Sequence, residues 1–291
     1  MPVSQRPTDR ILYPWPLVQL GAFDCWPDDP RWRTENCVEE GHVIAFPGRS
    51  VEIAQVGDRP RVMDPNRIVF YNRLQTYRRA PVSRDGDHCS YLVVAPSLIE
   101  ELVRRGAAPA RDVESRPFPV SAARSEAADY VEMHAIRRRL AAADELEIQE
   151  RLLRLVERVL RRLAGTRAPG DAARAATLRA RDDLAEAARA RLARRLHRRQ
   201  SLEEVAAGLE VSVYHLARVF RAATGMGLHA YRDQLRLRVA LDEVLAGEAP
   251  LTQVALDAGY AGSSHFTDRF RAVFGRAPSR LRREVGAGRS F

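Results

Sequence analysis

Arg218 has a side chain well suited to recognising a base or a phosphate. It lies four residues after Tyr214 and three after His215, so on a helix the three side chains share one face. A guanidinium can donate two hydrogen bonds to guanine O6 and N7, and a tyrosine can contact a thymine methyl or a phosphate. The alternative for Tyr214 and His215 is packing at the start of a helix, and we favour packing for His215.

The segment around Arg218 belongs to a unit that occurs twice. Leu251-Thr-Gln-Val-Ala follows Leu202-Glu-Glu-Val-Ala by 49 residues, and the second Phe-Arg pair, at Phe270, follows the first, at Phe220, by 50. The extra residue falls in the break between the two helical patterns, where a loop absorbs it. This duplication predicts two helix-turn-helix units, each with a second helix whose N-terminal residues face the bases.

The cysteines and one histidine of the first third form another group of candidates. Cys25, Cys37, Cys89 and His42 could supply soft metal ligands or redox-active thiols. Their spacing is not that of a zinc motif, so we favour buried structural cysteines and assign no metal and no cofactor. An odd number of cysteines without a signal peptide also argues against a disulfide scaffold.

The elements that must position these residues change along the chain. Residues 1–40 show no helical period and predict irregular chain with at most one short edge strand. Short β-rich runs between turn residues at about 40–96 predict a small sandwich or barrel that can hold one ligand. Helical patterns follow at about 97–164. A break rich in Gly and Pro predicts a linker over 165–176, and helices resume over 177–285.

One helical pattern before the linker carries an apolar stripe. Its members recur at four- and three-residue spacing: Leu152, Val156, Val159 and Leu163. The stripe can pack on its own domain or form the interface of a homodimer. The sequence leaves both possibilities open, because two heptads are too few to indicate a coiled coil.

Composition and charge favour a protein with a nucleic-acid partner. The chain of 291 residues has a net charge of +9, and all 47 basic residues are arginines. Residues 1–164 hold 25 Arg against 24 acidic residues, whereas residues 177–285 hold 19 Arg against 13. A basic C-terminal third is typical of DNA binding, although a solvated surface is the commoner role of a charge run. Without an apolar run or signal peptide, we expect a cytoplasmic protein with no membrane partner.

Two motifs run through the repeated units. They are Ser212-x3-Leu-Ala-Arg-x-Phe-Arg-x2-Thr-Gly225 and Val254-Ala-x3-Gly-Tyr-x2-Ser-Ser-His-Phe-x3-Phe-Arg-x3-Gly-x2-Pro-Ser279. In these motifs the chain resembles the DNA-binding domain of AraC/XylS-type transcriptional regulators, over about 177–285. The resemblance implies an all-helical domain whose two reading helices enter successive major grooves.

The resemblance also implies which side chains face the bases. They are Tyr214, His215, Ala217 and Arg218 in the first unit and Ser263, Ser264, His265 and Asp268 in the second, with Arg221 and Arg271 as further DNA-binding candidates. The family usually carries Arg at the position of Asp268. An aspartate repels phosphates and cannot donate to guanine, so we expect the first unit to read sequence and the second to play a mainly positional role.

Family members of this length generally place a cupin-like sensing domain first. The expected α+β chain therefore has a cupin-like β-barrel or sandwich with a helical dimerisation segment, then the all-α DNA-binding domain. The His-x-His set of metal-binding cupin enzymes is absent, so we expect no enzyme.

We predict a sequence-specific transcription factor whose N-terminal domain senses a small molecule and modulates promoter binding. The alternatives are a small-molecule or metal-binding protein, or a DNA-repair fusion, with the helical domain as a DNA tether. The expected partners are double-stranded DNA, an unknown effector, a second copy of the chain and, as a further candidate, RNA polymerase.

Overall fold

The structure, a computed structural model, describes residues 9–84, 86–106, 116–164, 172–198 and 200–286. The chain divides into two compact units, Met1–Arg167 with Arg280–Phe291, and Ala168–Ser279. Of the predicted linker, residues 165–171 lie outside the described ranges and residues 172–176 belong to a helix. The described helices include none that is long and apolar enough to cross a membrane.

The described part of the first unit contains ten strands. Their bounds are β1 (Asp9–Pro14), β2 (Val18–Cys25), β3 (Asn36–Cys37), β4 (His42–Pro47), β5 (Val51–Gln55), β6 (Arg61–Met63), β7 (Arg67–Tyr71), β8 (Thr76–Pro81), β9 (Asp87–Val94) and β10 (Ala122–Arg124). They form an antiparallel sheet in the order β1-β2-β9-β4-β7-β10 and a smaller one in the order β3-β8-β5-β6. Ala45 and Val69 of the first sheet share a core with Val51 and Ile53 of the second, so the sheets form a sandwich. The described strand pairings do not close them into a barrel.

β2 shows where the expectation for the N-terminus is wrong. The sequence predicted irregular chain over residues 1–40, but β2 is an interior strand that pairs with β1 on one side and β9 on the other. Leu20, Phe23 and Cys25 are all buried, on both faces of the strand. A strand covered on both faces lacks the apolar–polar alternation by which strands are recognised.

Three helices complete the described part of the first unit: α1 (Pro96–Arg104), α2 (Ala127–Arg139) and α3 (Glu145–Ala164). The apolar stripe of α3 is at most 2% exposed at each of its members: Leu152, Val156, Val159 and Leu163. Asp129 of α2 is fully buried and accepts hydrogen bonds from Arg158 Nε (2.5 Å) and from Arg162. The stripe therefore packs within its own unit, which is the first of the two alternatives left open by the sequence.

The second unit is helical. Its helices are α4 (Ala172–Arg194), α5 (Leu202–Ala207), α6 (Val213–Thr224), α7 (Leu228–Ala246), α8 (Leu251–Asp257) and α9 (Ser263–Phe274), and α10 (Pro278–Gly286) begins at its end. Leu192 of α4, Val205 of α5, Phe220 of α6 and Tyr231 of α7 share one core, so the first helix-turn-helix is packed on both neighbouring helices. The predicted fold class, a β-rich domain followed by a double helix-turn-helix domain, is confirmed.

Candidate nucleic-acid interface and ligand cavity

The two helix-turn-helix units turn the chain in the same way. In each, one residue adopts a left-handed conformation: Glu210 with φ of 56° and Gly259 with φ of 80°. Each turn is closed by the same backbone hydrogen bond: Val211 N–H to Ala206 O (3.2 Å) and Tyr260 N–H to Ala255 O (3.0 Å). The extra residue of the second copy follows this shared turn, so the insertion leaves the turn itself unchanged.

Side-chain caps fix the start of both helices of the first helix-turn-helix, α5 and α6. Ser201 and Glu204 form a capping box at α5, with each side chain bonded to the other's backbone N–H. Ser212 Oγ accepts from the backbone N–H of His215 at 3.2 Å and caps α6. The N-terminal turn of α6 is therefore held firmly, and it carries the candidate contact residues.

α6 places five of the predicted contact residues on its surface. Tyr214 is 77% exposed, so the packing alternative is wrong for this side chain. Arg218 and Arg221 are exposed as well, whereas His215 and Ala217 are half-buried. The surface of α6 is thus cationic and aromatic, with little of it committed to the core.

A groove of about 590 Å³ runs beside this surface. Its walls include Leu202 and Leu228, at the starts of α5 and α7, and Arg218, Arg221 and Arg232 border it. Arg232 also donates from Nη1 to the backbone oxygen of residue 200 at 3.3 Å. This groove is not predictable from the sequence, because helices distant along the chain form it.

α9 carries the other five predicted contact residues. Ser264, His265, Asp268 and Arg271 are exposed, and Ser263 is half-buried. Unlike α6, α9 has a glycine before its first residue and no side-chain cap. Because α6 and α9 begin at Val213 and Ser263, the exposed Asp268 corresponds in position to Arg218. The α9 surface therefore carries a negative charge where α6 carries a positive one.

Arg269 does not supply the charge that Asp268 removes. Its Nη2 and Nε lie 2.6 Å and 2.7 Å from Asp233 Oδ2 on α7. Tyr260 Oη donates to Oδ1 of the same carboxylate at 2.6 Å, and burial, with this hydrogen bond, raises the pKa of Tyr260. Asp233 is only 7% exposed, so Arg269 is paired with a buried carboxylate although its own side chain is partly exposed.

The Arg236 side chain of α7 has a structural role. Its Nε donates to Leu196 O at 2.7 Å, and its Nη1 donates to Gly259 O at 3.3 Å. The Leu196 carbonyl follows the end of α4, and the Gly259 carbonyl belongs to the turn of the second helix-turn-helix. One buried guanidinium therefore ties both segments to the connecting helix.

A cavity of about 440 Å³ lies in the first unit, lined by strands of both sheets. Its aromatic lining includes Phe23, Tyr71, Tyr77 and Tyr91. The rings of Tyr71 and Tyr77 lie 4.6 Å apart. Burial raises the pKa of both phenols, so their hydroxyls stay protonated at neutral pH.

An ion pair lies along the cavity between β8 and β9. Arg79 Nη1 and Asp87 Oδ2 are 3.0 Å apart, and both side chains are buried. Arg79 Nη2 also donates to Tyr77 Oη at 2.6 Å, and its guanidinium lies 4.2 Å from the centre of the Phe23 ring. The sequence did not indicate this pair, because β8 is polar and has no apolar alternation.

The predicted metal and redox candidates do not form a site. Cys37 and Cys89 line the cavity, but the described residues contain no group of three His, Cys, Asp or Glu side chains that could hold a metal ion. Burial raises the pKa of Cys25 to about 11 and also raises that of Cys89, so both thiols stay protonated. His42 Nδ1 accepts from Arg73 N–H at 3.2 Å.

Comparison with known proteins points to regulators. A helix-turn-helix domain family matches residues 205–284. Regulatory protein SoxS of Salmonella typhimurium is 34% identical over 85 residues, which make up 29% of this chain and 79% of SoxS. Transcriptional activator AarP of Providencia stuartii is 32% identical over 87 residues, or 30% of this chain and 64% of AarP.

A solved structure of ToxT from Vibrio cholerae aligns with 96% of this chain and 99% of its own, at 11% identity and a TM-score of 0.36. A likeness that low carries no argument about the fold. The family match over residues 205–284 covers both duplicated turns, at Glu210 and Gly259, and the helices α6 and α7 described above. On these grounds, the chain belongs to the AraC/XylS-type family of DNA-binding transcriptional regulators.

Proposed function

We propose that this regulator responds to a small molecule bound in the cavity of its first unit. The observation that carries the proposal is the cavity of about 440 Å³, which combines apolar and aromatic walls with charged and polar side chains. Cavities of this size and character are typical of small-molecule sites. Binding of the effector would change the affinity of the helical domain for its promoter.

We further propose that the first helix-turn-helix carries most of the sequence reading. Tyr214 and Arg218 extend from a capped helix into solvent, which suits direct contact with base edges. Asp268 at the corresponding position of α9 disfavours a phosphate contact and cannot donate to guanine. The second helix-turn-helix then acts mainly by positioning the protein on the duplex.

Phosphate contacts are proposed for the groove beside α6. Arg218, Arg221 and Arg232 surround it with positive charge. The residue before α7 is Gly227, which has no side-chain cap, so backbone N–H groups at the start of this helix are available to a phosphate oxygen. Such contacts fix the register of α6 in the major groove.

Footprinting tests the proposal that the first helix-turn-helix carries most of the sequence reading. The full-length protein is incubated with the intergenic DNA upstream of its own gene at about 0.1 M salt. We expect a protected site whose affinity depends more strongly on base changes in one half than in the other. No protection at that salt concentration contradicts sequence-specific binding, since phosphate contacts alone give steeply salt-dependent, non-specific affinity.

We also propose that the chain acts as a homodimeric activator. AarP is named as an activator, and an activating role would make RNA polymerase a partner. Since the α3 stripe is buried within the first unit, a dimer must use another surface of the chain. Sedimentation velocity at micromolar concentration tests this proposal, and a single monomeric species would contradict it.

A further inference from the structure

Carboxylates outnumber guanidinium groups along the cavity. The charged residues that line it are Asp9, Glu39, Glu40, Asp87, Arg31 and Arg79. Arg79 is neutralised by Asp87, and Arg31 by Asp29, whose two carboxylate oxygens accept from Arg31 Nε at 3.0 Å and Nη2 at 2.8 Å. Asp9, Glu39 and Glu40 remain without a cationic partner among the residues that the structure describes.

These three carboxylates lie at the mouth of the cavity, because all three are exposed whereas Asp87 is buried. Asp9 accepts a hydrogen bond from Tyr91 Oη at 2.5 Å, which joins the mouth to the aromatic wall. A positively charged group in this position faces negative charges and the ring of Tyr91. Both attract an organic cation more than an anion of the same size.

The inner part of the cavity presents a different demand. The side chain of Arg79 is only 4% exposed, and its Nε has no hydrogen-bond partner among the described residues. A buried donor without an acceptor costs free energy. A ligand oxygen that reaches Nε and accepts from it would remove this cost, whereas a methylene group in the same place would not.

We propose that the effector is a small organic amine with its ammonium group at the mouth of the cavity and a hydrogen-bond-accepting oxygen near Arg79. The inference rests on the proposed function, because it names the ligand class for the same cavity. The apolar and aromatic walls accept the body of such a molecule. The mouth carboxylates then select against anions.

Three matched probes test the sign of the charge. Isothermal titration calorimetry at pH 7 compares 2-phenoxyethylamine, 2-phenoxyethanol and phenoxyacetate, which share a ring and an ether oxygen. We expect the full-length protein to bind the amine at least about tenfold more tightly than the alcohol, and the acetate most weakly. Equal or tighter binding of the alcohol or the acetate overturns the proposal.

A fourth probe tests the inner donor. 3-Phenylpropylamine replaces the ether oxygen of 2-phenoxyethylamine with a methylene group. We expect it to bind several-fold more weakly although it is more apolar, because Arg79 Nε then lacks an acceptor. Tighter binding of 3-phenylpropylamine overturns the assignment of the oxygen to Arg79.

Variants locate the charge at the mouth. The double variant Glu39→Gln, Glu40→Gln removes two exposed carboxylates and should weaken binding of the amine about fivefold or more while leaving the alcohol unchanged. Glu100→Gln, which neutralises an exposed carboxylate of α1 outside the cavity, is the matched control and should leave both affinities unchanged. Unchanged amine binding in the double variant overturns the proposal.

Promoter binding in the same samples separates this inference from the proposed function. If no probe binds while the promoter is still bound, the ligand class is wrong and DNA-binding regulation stands. If phenoxyacetate binds and changes promoter affinity, the cavity is the effector site but the proposed charge is wrong. If the amine binds as expected without changing promoter affinity, the ligand class is supported and the proposed response fails.

Discussion

Arg218 and Asp268 occupy corresponding positions on α6 and α9 and carry opposite charges. Both are exposed, so neither charge is needed for packing. The neighbouring Arg269 is held by the buried Asp233 and cannot take over from Asp268. The two copies therefore share a backbone design while offering DNA different chemistry, and this difference is the basis of the predictions for individual residues.

Arg218→Ala should weaken specific DNA binding by about 1–3 kcal/mol and relax the preference at one base pair. The reason is the loss of a two-bond contact to a base edge. Fluorescence anisotropy with the footprinted site and its single-base variants measures both effects. Arg181→Ala removes the same charge from an exposed position on α4 and serves as the control. If Arg218→Ala weakens binding equally at every variant site, the guanidinium contacts only phosphate.

His42 should make stability depend on pH. It is buried, and desolvation lowers its pKa from the usual 6.5 to about 4. Between these values the unfolded chain binds a proton that the folded chain does not, so the free energy of unfolding should decrease as the pH falls from about 6.5 to about 4. His42→Asn keeps an acceptor but does not titrate. Denaturation curves of this variant at pH 7, 6 and 5 should therefore differ less from one another than those of the unaltered protein.

The control for this pH effect is His197→Asn, since His197 is exposed. Its stability should follow pH as the unaltered protein does. If the His42 variant and the unaltered protein lose stability in parallel over this range, the burial of His42 does not contribute to the pH dependence.

At the level of elements, the turns of the two helix-turn-helix units differ in backbone strain. Both place one residue in the left-handed region, but only the second unit uses glycine there. A residue with a Cβ is strained in this region by about 1–2 kcal/mol. At Gly259 a Cβ would also lie 3.1 Å from Arg236 Cζ, so the second turn tolerates a side chain less well than the first.

Glu210→Gly should therefore stabilise the helical unit by about 0.5–1 kcal/mol, because relief of strain exceeds the entropy that glycine loses on folding. Thermal denaturation measures the change. Glu248→Gly is the matched control, since Glu248 is exposed and is not among the positive-φ residues. The control should be neutral or destabilised. A loss of stability in Glu210→Gly would show that the Glu210 side chain contributes more than its backbone strain costs.

For the whole molecule, the distribution of charge separates two kinds of binding. Residues 177–285 carry an excess of six arginines, whereas residues 1–164 carry an excess of one. DNA binding should therefore fall steeply with salt, since each phosphate contact releases counterions. Ligand binding in the cavity involves fewer charges than DNA binding and should depend on salt less steeply.

Asp268→Arg should raise overall DNA affinity and steepen the plot of log K against log salt concentration by about one contact. Titrations at several salt concentrations with specific and unrelated DNA measure the slope. Thr267→Gln, a longer polar residue next to it with no charge, is the control. Unchanged affinity and slope in Asp268→Arg would mean that α9 does not approach the phosphates.

The helix-turn-helix units were predictable because their signals are local. Ser201 and Ser212 cap helices within three residues, and the second copy repeats the residue types of the first at an offset of 49 to 50 residues. The contact of Asp233 with Tyr260 and Arg269 was not predictable, since it joins residues 27 and 36 positions apart. Nothing in the local sequence of a polar residue states which distant residue it will meet.

The cavity could be predicted only as a general property of a small β-fold. Its position depends on the pairing of β2 with β9 and on the polar strand β8. Neither β2 nor β8 shows a clear strand pattern. Gly21 gives an example: a Cβ there would lie 2.2 Å from Tyr91 Cζ, so the absence of a side chain on β2 decides where a tyrosine of β9 can lie. Such steric dependence between strands is not readable from either strand alone.

Arg236 connects segments on either side of α7, and this has a consequence for folding cooperativity. The carbonyls of Leu196 and Gly259 both accept from one buried guanidinium, so opening either segment removes one of its acceptors. Local opening of one copy is therefore coupled to the other, and the amide hydrogens near both carbonyls should exchange with similar protection. The duplicated units then fold as one cooperative body, and an isolated second copy would lack the hydrogen bond from Arg236 to the Gly259 carbonyl.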